Sequence, residues 1–438
     1  MRKWMITFVC VVCLLCSFIL TSCASEETPG VVDAKINSNG ELVLVYQDGT
    51  KQNLGTIVGK DGADGAIGTN AVTVITGDAS NIPVASAKGL RSAVSIVCSF
   101  QSNVQQGGWR PGSGSTSTKS YSSAGSGVIY QLDKAEGDAF IITNYHVVYD
   151  ASSNTENGIS SDIRVYLYGS ASDENAIKAT YVGGSIYYDI AVLRIEDSEM
   201  LKESSACQID ISDSDKVVVG DSAIAIGNAQ GNGISVSSGI VSVDSEYITM
   251  TAADERTEVS FRVMRVDTAV NSGNSGGGLF DCNGNLIGIV NAKIVDESVE
   301  NIGYAIPSNV AIAIADNIID YCFGTDTERV QRALLGITVN ATDSKAVYNS
   351  ETGYIRIQET VSVYEVSKGS LADGVLQKGD VLLSATLNGQ KTDITRQYHM
   401  IDMMLDVRIG DVVEFDILRF GEKHTVQITI TEECLTEY

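Results

Sequence analysis

Ser275 lies in a loop of small residues that could hold a serine nucleophile. Residues 271–278 read Asn-Ser-Gly-Asn-Ser-Gly-Gly-Gly and follow an apolar, strand-like stretch, residues 263–270. A hydroxyl that attacks a carbonyl needs donors for the developing oxyanion, and a tight glycine turn can supply backbone N–H groups because no Cβ blocks the approach. We expect Gly273 and Ser275 to donate these N–H groups and Asn274 to shape the turn. An ordinary glycine-rich turn is the alternative.

A serine becomes a good nucleophile when a base takes its proton and a carboxylate orients that base. The chain has three histidines, of which His399 and His424 lie among ordinary polar positions near the C-terminus. His146 instead ends an apolar strand-like run, where a satisfied core histidine is the alternative interpretation. Asp189 stands at the head of another apolar run, and a buried carboxylate there is costly unless it is paired. These two residues are the candidate base and its orienting acid.

Taken together, these contexts resemble the chymotrypsin-fold serine proteases of the HtrA (Deg) family, in the order His146, Asp189, Ser275. The resemblance covers roughly residues 88 to 432. It is carried also by Gly125-Ser126-Gly127-Val128-Ile129, Thr143-Asn144-Tyr145-His146-Val147-Val148, Asp213-Ser214-Asp215-Lys216, Val219-Gly220-Asp221, Ala225-Ile226-Gly227-Asn228, Ser238-Gly239-Ile240-Val241-Ser242 and Gly303-Tyr304-Ala305-Ile306-Pro307.

The chain departs from the family pattern at three positions. Tyr145 stands where a small residue is usual, and Ser272 and Gly278 stand where proline is usual. Proline fixes φ and lacks an N–H, so we expect the last two changes to loosen the serine turn without removing a donor.

The resemblance implies a role for each site residue. His146 is the general base, Asp189 fixes its tautomer, and Ser275 forms the acyl-enzyme. The N–H groups of Gly273 and Ser275 make the oxyanion hole. A specificity pocket beside the serine loop would be lined by Ile289, Val290, Asn291 and Ala292. These residues are aliphatic or small, so the expected cleavage is after small or medium aliphatic residues.

The N-terminus reads as a secretion signal. Met1-Arg2-Lys3 is basic, residues 4–20 are almost entirely apolar, and Leu20-Thr21-Ser22-Cys23 resembles a bacterial lipobox. We expect residues 1–22 to be removed and Cys23 to be acylated, which would tether the protein to a membrane; an uncleaved anchor is the alternative. Whether this membrane is a plasma membrane or an outer membrane stays open.

Residues 23–87 are expected to form a stalk. Alternating apolar residues around the Asn39-Gly40 turn predict a small β-meander. Residues 59–70 are glycine-led triplets that resemble collagen-like segments but are too few for an independent triple helix. A flexible linker is the simpler interpretation, and a homotrimer is an open hypothesis. Residues 103–123 predict a long surface loop.

The formal net charge of −25 argues against nucleic acid as a partner. The cysteines outside the signal are an odd set for a disulfide framework, so we expect mostly free thiols. No cofactor is implied. A calcium loop at Asp210, Asp213 and Asp215 is disfavoured because the glycine and glutamate spacing of such loops is missing.

The resemblance implies a protease domain over residues 88–325 and a PDZ domain over residues 326–438. Residues 325–332 predict a helical connector, and a short helix (370–376), a hairpin turn (388–389), a helix (395–405) and two closing strands follow. The loop Leu335-Gly336-Ile337 would capture the C-terminal carboxylate of a peptide that adds to the sheet as a strand.

The predicted fold is mostly β: a chymotrypsin-like double β-barrel, then a PDZ domain, with a short N-terminal stalk. The expected function is that of a lipid-anchored, ATP-independent serine endopeptidase that degrades unfolded proteins outside the cytoplasm, in the bacterial cell envelope. The alternative is a latent or inactive peptide-binding or chaperone-like surface lipoprotein. The natural substrate and the resting state stay open.

Overall fold

A computed structural model of the 438-residue chain describes residues 31–36, 41–47, 49–56, 81–106, 115–170, 172–294, 302–325 and 327–437. The chain divides into two compact units, Met1–Ala79 and Ser80–Tyr438. The expected signal peptide, Cys23, the Asn39-Gly40 turn and the glycine-led triplets lie outside the described residues.

The first unit contains a three-stranded antiparallel sheet. Its strands are β1 (Val31–Ile36), β2 (Glu41–Tyr46) and β3 (Lys51–Thr56), in the order β1-β2-β3. A second turn brings β3 back along β2, with Gly49 at a φ of 81° that favours glycine. The predicted β-meander is therefore present.

The second unit begins with a helix, α1 (Ile82–Leu90). Ala85 is buried, and a Cβ on Gly89 would lie 2.6 Å from the Ile226 side chain. The expected domain boundary between residues 87 and 88 falls inside this helix. In the structure the second unit begins at Ser80 instead, because α1 packs on the rest of that unit.

Six antiparallel strands close a first barrel in the order β4-β5-β6-β9-β8-β7. They are β4 (Ala93–Gln106), β5 (Ser115–Asp133), β6 (Asp138–Thr143), β7 (Asp162–Leu167), β8 (Ile177–Ser185) and β9 (Ile190–Ile195). A four-residue helix, α2 (Tyr145–Val148), follows β6, and α3 (Glu199–Glu203) follows β9.

Strands β4 and β5 pair continuously from Ala93↔Val128 to Gln106↔Ser115. Residues 103–106 and 115–123 are therefore strand, and the loop prediction is wrong for them. Their Ser and Thr residues show no apolar alternation because this end of the hairpin covers little of the core. Residues 107–114 lie outside the described residues.

A second barrel closes in the order β10-β11-β12-β15-β14-β13. Its strands are β10 (Ser222–Gly227), β11 (Ser235–Thr251), β12 (Glu258–Val266), β13 (Gly278–Phe280), β14 (Leu286–Val290) and β15 (Gly303–Pro307). The helix α4 (Ser308–Cys322) follows β15.

Strands β6, β9 and β10 are buried on both faces, which explains their nearly continuous apolar sequences. In β6 and β9, Ile141 and Leu193 fill the first barrel, whereas Ile142 and Val192 point outward into a central cluster. In β10, Ile224 points into the same cluster. Side chains alternate along a strand, so one strand can serve two cores. The apolar face of α4 completes the central cluster, which joins the two barrels.

The C-terminal part of the unit is a six-stranded sheet with the order β17-β18-β19-β21-β22, with β20 paired to β19. The strands are β17 (Ile337–Tyr348), β18 (Ile355–Val366), β19 (Val381–Leu387), β20 (Gln390–Asp393), β21 (Val412–Arg419) and β22 (Glu422–Thr429). A helix, α5 (Gln397–Asp406), follows β20, and β16 (Gln331–Ala333) pairs with β23 (Leu435–Glu437).

Most C-terminal predictions are confirmed, including the α5 helix, the closing strands and the turn at Asn388-Gly389, where both residues have positive φ. The helical connector at 325–332 is wrong. Its backbone is extended because the Glu328 carbonyl accepts a hydrogen bond of 3.0 Å from the N–H of Gly184 at the end of β8. Residues 370–376 are hydrogen-bonded turns instead of a helix, since the Ala372 N–H bonds to the Leu335 carbonyl.

A buried arginine joins the second barrel to the C-terminal sheet. Arg262 of β12 is 3% exposed and contacts the carboxylates of Asp215, at 2.9 Å, and of Asp402 in α5, at 3.1 Å. Its guanidinium also lies 3.9 Å from the centre of the Tyr398 ring. Burial raises the pKa of Asp402 to about 7.

We expect Arg262→Ala to lower the free energy of unfolding by about 3–5 kcal/mol, because it leaves buried carboxylates without their cation. Urea unfolding at neutral pH measures this change. Lys216→Met is the control, because it removes an exposed cation that lies 3.4 Å from Asp213, and it should change stability by less than about 1 kcal/mol. Equal effects of the two substitutions would contradict this account of the contact.

The raised pKa of Asp402 predicts a pH dependence. Its ordinary value is 3.8, so the folded chain binds more protons than the unfolded chain between about pH 4 and about pH 7. Stability that the protonated form provides is lost as the pH rises through this window. In urea unfolding, Asp402→Asn should therefore gain about 3 kcal/mol relative to the parent chain between about pH 4.5 and about pH 7.5. A pH-independent difference would contradict the assignment.

Candidate active site

Asp189, the residue before β9, meets His146 in the first turn of α2. The His146 Nδ1 lies 2.6 Å from Asp189 Oδ2, and the His146 backbone N–H donates to Asp189 Oδ1 at 2.9 Å. Asp189 has a φ of 54°, a left-handed conformation that aspartate tolerates better than most residues. Its carbonyl accepts the Tyr145 N–H at 3.1 Å and the Asn144 side-chain amide at 2.8 Å. The structure thus brings these two predicted residues together.

Asn291, which follows β14 in the second barrel, donates its side-chain N–H to Asp189 Oδ2 at 2.7 Å. The Asp189 carboxylate is 5% exposed and so is held from both barrels. These hydrogen bonds fix the orientation of the carboxylate and point it at the imidazole.

The serine loop consists of two successive tight turns. The Asn274 N–H donates to the Asn271 carbonyl at 3.0 Å, and the Gly277 N–H donates to the Asn274 carbonyl at 2.9 Å. Gly273 and Gly276 occupy the third position of each turn with φ values of 94° and 82°, as type II turns require. A Cβ on Gly276 would lie 2.2 Å from the Ser126 carbonyl oxygen, so glycine is needed there on two counts.

Ser126 of β5 links the serine loop to the first barrel. Its N–H donates to the Ser275 carbonyl at 2.8 Å, and its hydroxyl donates to the Gly273 carbonyl at 2.7 Å. The same hydroxyl accepts the Asn228 N–H at 2.7 Å. Sequence reasoning used Ser126 as part of a resemblance but missed this positioning role. Its only signal was a polar residue between two glycines in an apolar strand.

Gly278 does not loosen the turn as expected. It is the first residue of β13, and a Cβ there would lie 2.4 Å from the Phe280 ring. The missing side chain therefore makes room for Phe280 in the core. Ser272 does lie in the first turn, and its carbonyl accepts the Gln230 N–H at 2.7 Å.

The N–H groups of Gly273 and Ser275 have no acceptor among the residues that the structure describes. An oxyanion hole needs donors that are free in this way. The Ser275 hydroxyl accepts the Ala292 N–H at 3.2 Å and has no hydrogen bond to His146 within the described part of the chain. The Ser275 hydroxyl is therefore bonded to the backbone after β14 instead of to the imidazole.

The expected specificity pocket needs correction. Ile289 and Val290 are fully buried and pack in the central and second-barrel cores, respectively. Asn291 is fully buried against Asp189. Consecutive strand residues face opposite sides, so β14 cannot turn all of these side chains toward one pocket. Ala292 alone is partly exposed.

The Asp210, Asp213 and Asp215 carboxylates each have protein partners. Asp210 pairs with Lys88 at 2.8 Å, Asp213 accepts the Asn309 amide at 2.8 Å, and Asp215 pairs with Arg262. Across the described ranges, no group of three or more His, Cys, Asp and Glu residues is arranged to hold a metal ion. None of the five described cysteines is in a disulfide bond with another described residue, and burial raises the pKa of Cys98 to about 12. No helix in the described residues is long and apolar enough to cross a membrane.

A family model for a trypsin-like peptidase domain matches residues 125–289, which include His146, Asp189 and Ser275. The serine protease Do-like HtrA of Lactococcus lactis (strain MG1363) is 30% identical over 421 residues, which cover 92% of this chain and 94% of that protein. The chain belongs to the HtrA family of serine proteases. It is accordingly a serine endopeptidase.

Other HtrA proteases match a smaller share of this chain. The Do-like HtrA of Bacillus subtilis (strain 168) is 33% identical over 73% of this chain and 66% of that protein. The periplasmic pH-dependent serine endoprotease DegQ of Escherichia coli (strain K12) is 32% identical, and the match covers 70% of this chain and 59% of DegQ. The solved HtrA-type protease AlgW with decapeptide is 25% identical over 79% of this chain and 97% of that chain, with a TM-score of 0.48. The family assignment rests on the sequence relatives.

We expect Asn291→Ala to lower kcat/KM about tenfold to a hundredfold, because a hydrogen bond to a buried carboxylate contributes about 1.5–3 kcal/mol. Asn291→Asp keeps the shape but replaces the donor by a like charge, so it should be slower still. Peptide hydrolysis measures the rates, and thermal unfolding verifies that each variant is folded. An Asn291→Ala rate within twofold of the parent would show that this hydrogen bond does not position Asp189.

Proposed function

We propose that this HtrA protease degrades unfolded or misfolded proteins outside the cytoplasm while tethered to a membrane through Cys23. The observation that carries the catalytic part is the convergence of His146, Asn291 and the α2 backbone on one buried carboxylate, Asp189. The site needs no cofactor and no ATP, because the attacking group, the base and the oxyanion donors are all protein groups.

In the proposed mechanism, Ser275 Oγ attacks the scissile carbonyl and His146 Nε2 accepts its proton. Asp189 holds the proton on Nδ1 and stabilises the imidazolium. The free N–H groups of Gly273 and Ser275 donate to the oxyanion. His146 then returns the proton to the leaving amine, and water hydrolyses the acyl-enzyme by the same steps. Cleavage after small or medium aliphatic residues stays a prediction. Of the four residues expected to line the specificity pocket, only Ala292 is partly exposed.

We propose further that the C-terminal sheet is a PDZ domain that binds protein C-termini. Strand β17 is at the edge of its sheet, where a peptide strand could add, and α5 packs beside it. Gly336 precedes this strand with a φ of 76°, and Ile337 is partly exposed, whereas Leu335 is buried in the core. These features support a carboxylate-binding loop at Leu335-Gly336-Ile337.

The membrane tether and the extracytoplasmic location rest on the first 23 residues and on relatives that are named periplasmic. Chains anchored at one end can still assemble, and a homotrimer stays a prediction. Sedimentation of the chain without its first 23 residues measures the oligomeric state, and a stable monomer would contradict the homotrimer.

Two hydrogen bonds favour a latent resting state. Such a state fits the alternative function, that of a peptide-binding or chaperone-like lipoprotein. Ser275 Oγ is bonded to the Ala292 N–H instead of the His146 ring. In addition, the Gln397 side-chain amide donates to the Val339 carbonyl of β17 at 3.3 Å and so occupies part of the peptide edge. Ligand binding at this edge must displace Gln397.

Incubation of the chain lacking residues 1–23 with unfolded casein tests the proposal. Digestion followed on a gel should occur with the parent chain and fall at least about a thousandfold with Ser275→Ala. A peptide with a hydrophobic C-terminus should accelerate digestion if the PDZ domain activates the site.

Gln397→Ala should mimic part of this acceleration. Gln390→Ala, at an exposed position of β20, serves as the control. No digestion with or without the peptide, together with suppression of casein aggregation, would favour the chaperone-like alternative. Digestion that survives Ser275→Ala would contradict the proposed nucleophile.

A further inference from the structure

A cleft of about 580 Å³ lies beside the catalytic histidine, and the mechanism above does not use it. Tyr145, the residue before His146, forms part of its wall, and so does Tyr187, two residues before Asp189. Consecutive Cα atoms are about 3.8 Å apart, so these two lining residues lie close to His146 and Asp189, although the triad residues do not themselves line the cleft. Tyr145 is also a position where this chain departs from its family.

Tyrosine rings form one side of the cleft. Tyr145 and Tyr149 stack with their ring centres 5.1 Å apart and an interplanar angle of 28°. The Tyr149 ring packs so closely on Gly158 that a Cβ there would lie 2.4 Å from it. The Tyr181 side chain lines the cleft as well. Such packing holds the rings in place, and aromatic faces attract cations and pack against alkyl chains.

Three carboxylates also line the cleft, and they come from three separate segments. Glu156 belongs to the loop after α2, Asp254 to the β11–β12 turn, and Glu328 to the segment after α4. Glu328 accepts the Asn157 amide at 3.1 Å and Asp254 accepts the Thr257 hydroxyl at 2.6 Å, so their hydrogen-bond partners are neutral.

Arg329 is the one cation among the residues that line the cleft. It forms no ion pair with these three carboxylates within the described part of the chain. The lining therefore carries two more negative than positive charges. A cationic ligand with an alkyl stem matches both kinds of lining residue. The stem packs on the tyrosine rings, and the charged end contacts the carboxylates.

We propose that this cleft is a second substrate subsite that accepts a lysine or arginine side chain of the polypeptide being cut. The occupant is the substrate itself because Tyr145 and Tyr187 of the cleft lining lie one and two residues from His146 and Asp189. An extended peptide advances about 3.3 Å per residue, so the basic residue lies within about four residues of the cleaved bond. This inference rests on the proposed catalytic roles of His146 and Ser275.

Internally quenched peptides test the subsite with the chain lacking residues 1–23. Each peptide carries valine before the cleaved bond and lysine, norleucine or glutamate at one of the neighbouring positions on either side. Norleucine matches the lysine stem, so the comparison isolates the charge. At one position we expect the lysine peptide to have a kcat/KM about tenfold above that of the norleucine peptide, with the glutamate peptide below both.

A double variant, Glu156→Gln with Asp254→Asn, assigns the preference to the cleft. It should reduce the advantage of the lysine peptide over the norleucine peptide from about tenfold to about twofold. The control is Glu136→Gln with Glu174→Gln, which makes the same charge change at exposed positions outside the cleft lining. This control is needed because a chain with a net charge of −25 attracts cationic peptides everywhere.

Three results would overturn the subsite: no lysine preference at any position, a preference for glutamate, or a lysine advantage that survives in the cleft variant. A lysine advantage that falls equally in the control variant would also overturn it, since long-range attraction would then explain the effect. If no peptide is cleaved in a Ser275-dependent way, the proposed function fails, and the subsite fails with it.

Discussion

The buried carboxylate of Asp189 is the constraint on which the active site depends. An ion taken out of water costs several kcal/mol unless neighbouring groups replace its hydration. Here the replacement comes from the backbone and ring of His146 in the first barrel and from the Asn291 amide in the second. The left-handed backbone at Asp189 is tolerated because its carbonyl is also tied to Asn144 and Tyr145. Correct closure of the two barrels and correct orientation of the base are therefore the same event.

The serine loop is also fixed by contacts between the two barrels. Its glycines let the backbone pass within contact distance of Ser126 and Asn228, where any side chain would collide. Ser126 then bonds to both Gly273 and Ser275. A loop of the second barrel is thus fixed on a strand of the first barrel. The central core beneath it, shared by outward-facing residues of both barrels and by α4, makes this contact rigid enough to position a nucleophile.

Helix α5 connects the C-terminal sheet to the catalytic barrels. Its first residue, Gln397, bonds to the edge strand β17, and one turn later Asp402 meets Arg262 of the second barrel. A peptide that displaces Gln397 and a proton that neutralises Asp402 therefore act on the same short helix. Ion pairs on the surface contribute little to this connection, whereas the pair at Arg262 is almost completely buried.

The sequence by itself determined the family, the triad residues, the glycine turns and most strands and turns, because these depend on local periodicity, on φ preferences and on residues close together in the chain. It did not reveal Asn291 as a partner of Asp189, 102 residues away, or Ser126 as a partner of Gly273, 147 residues away. It placed a helix at 325–332, where pairing with Gly184 imposes an extended backbone, and it assigned Ile289 to a pocket when β14 turns it into the core. Only the tertiary structure decided these points, because a hydrogen-bond partner or a core supplied by a distant segment overrides local preference.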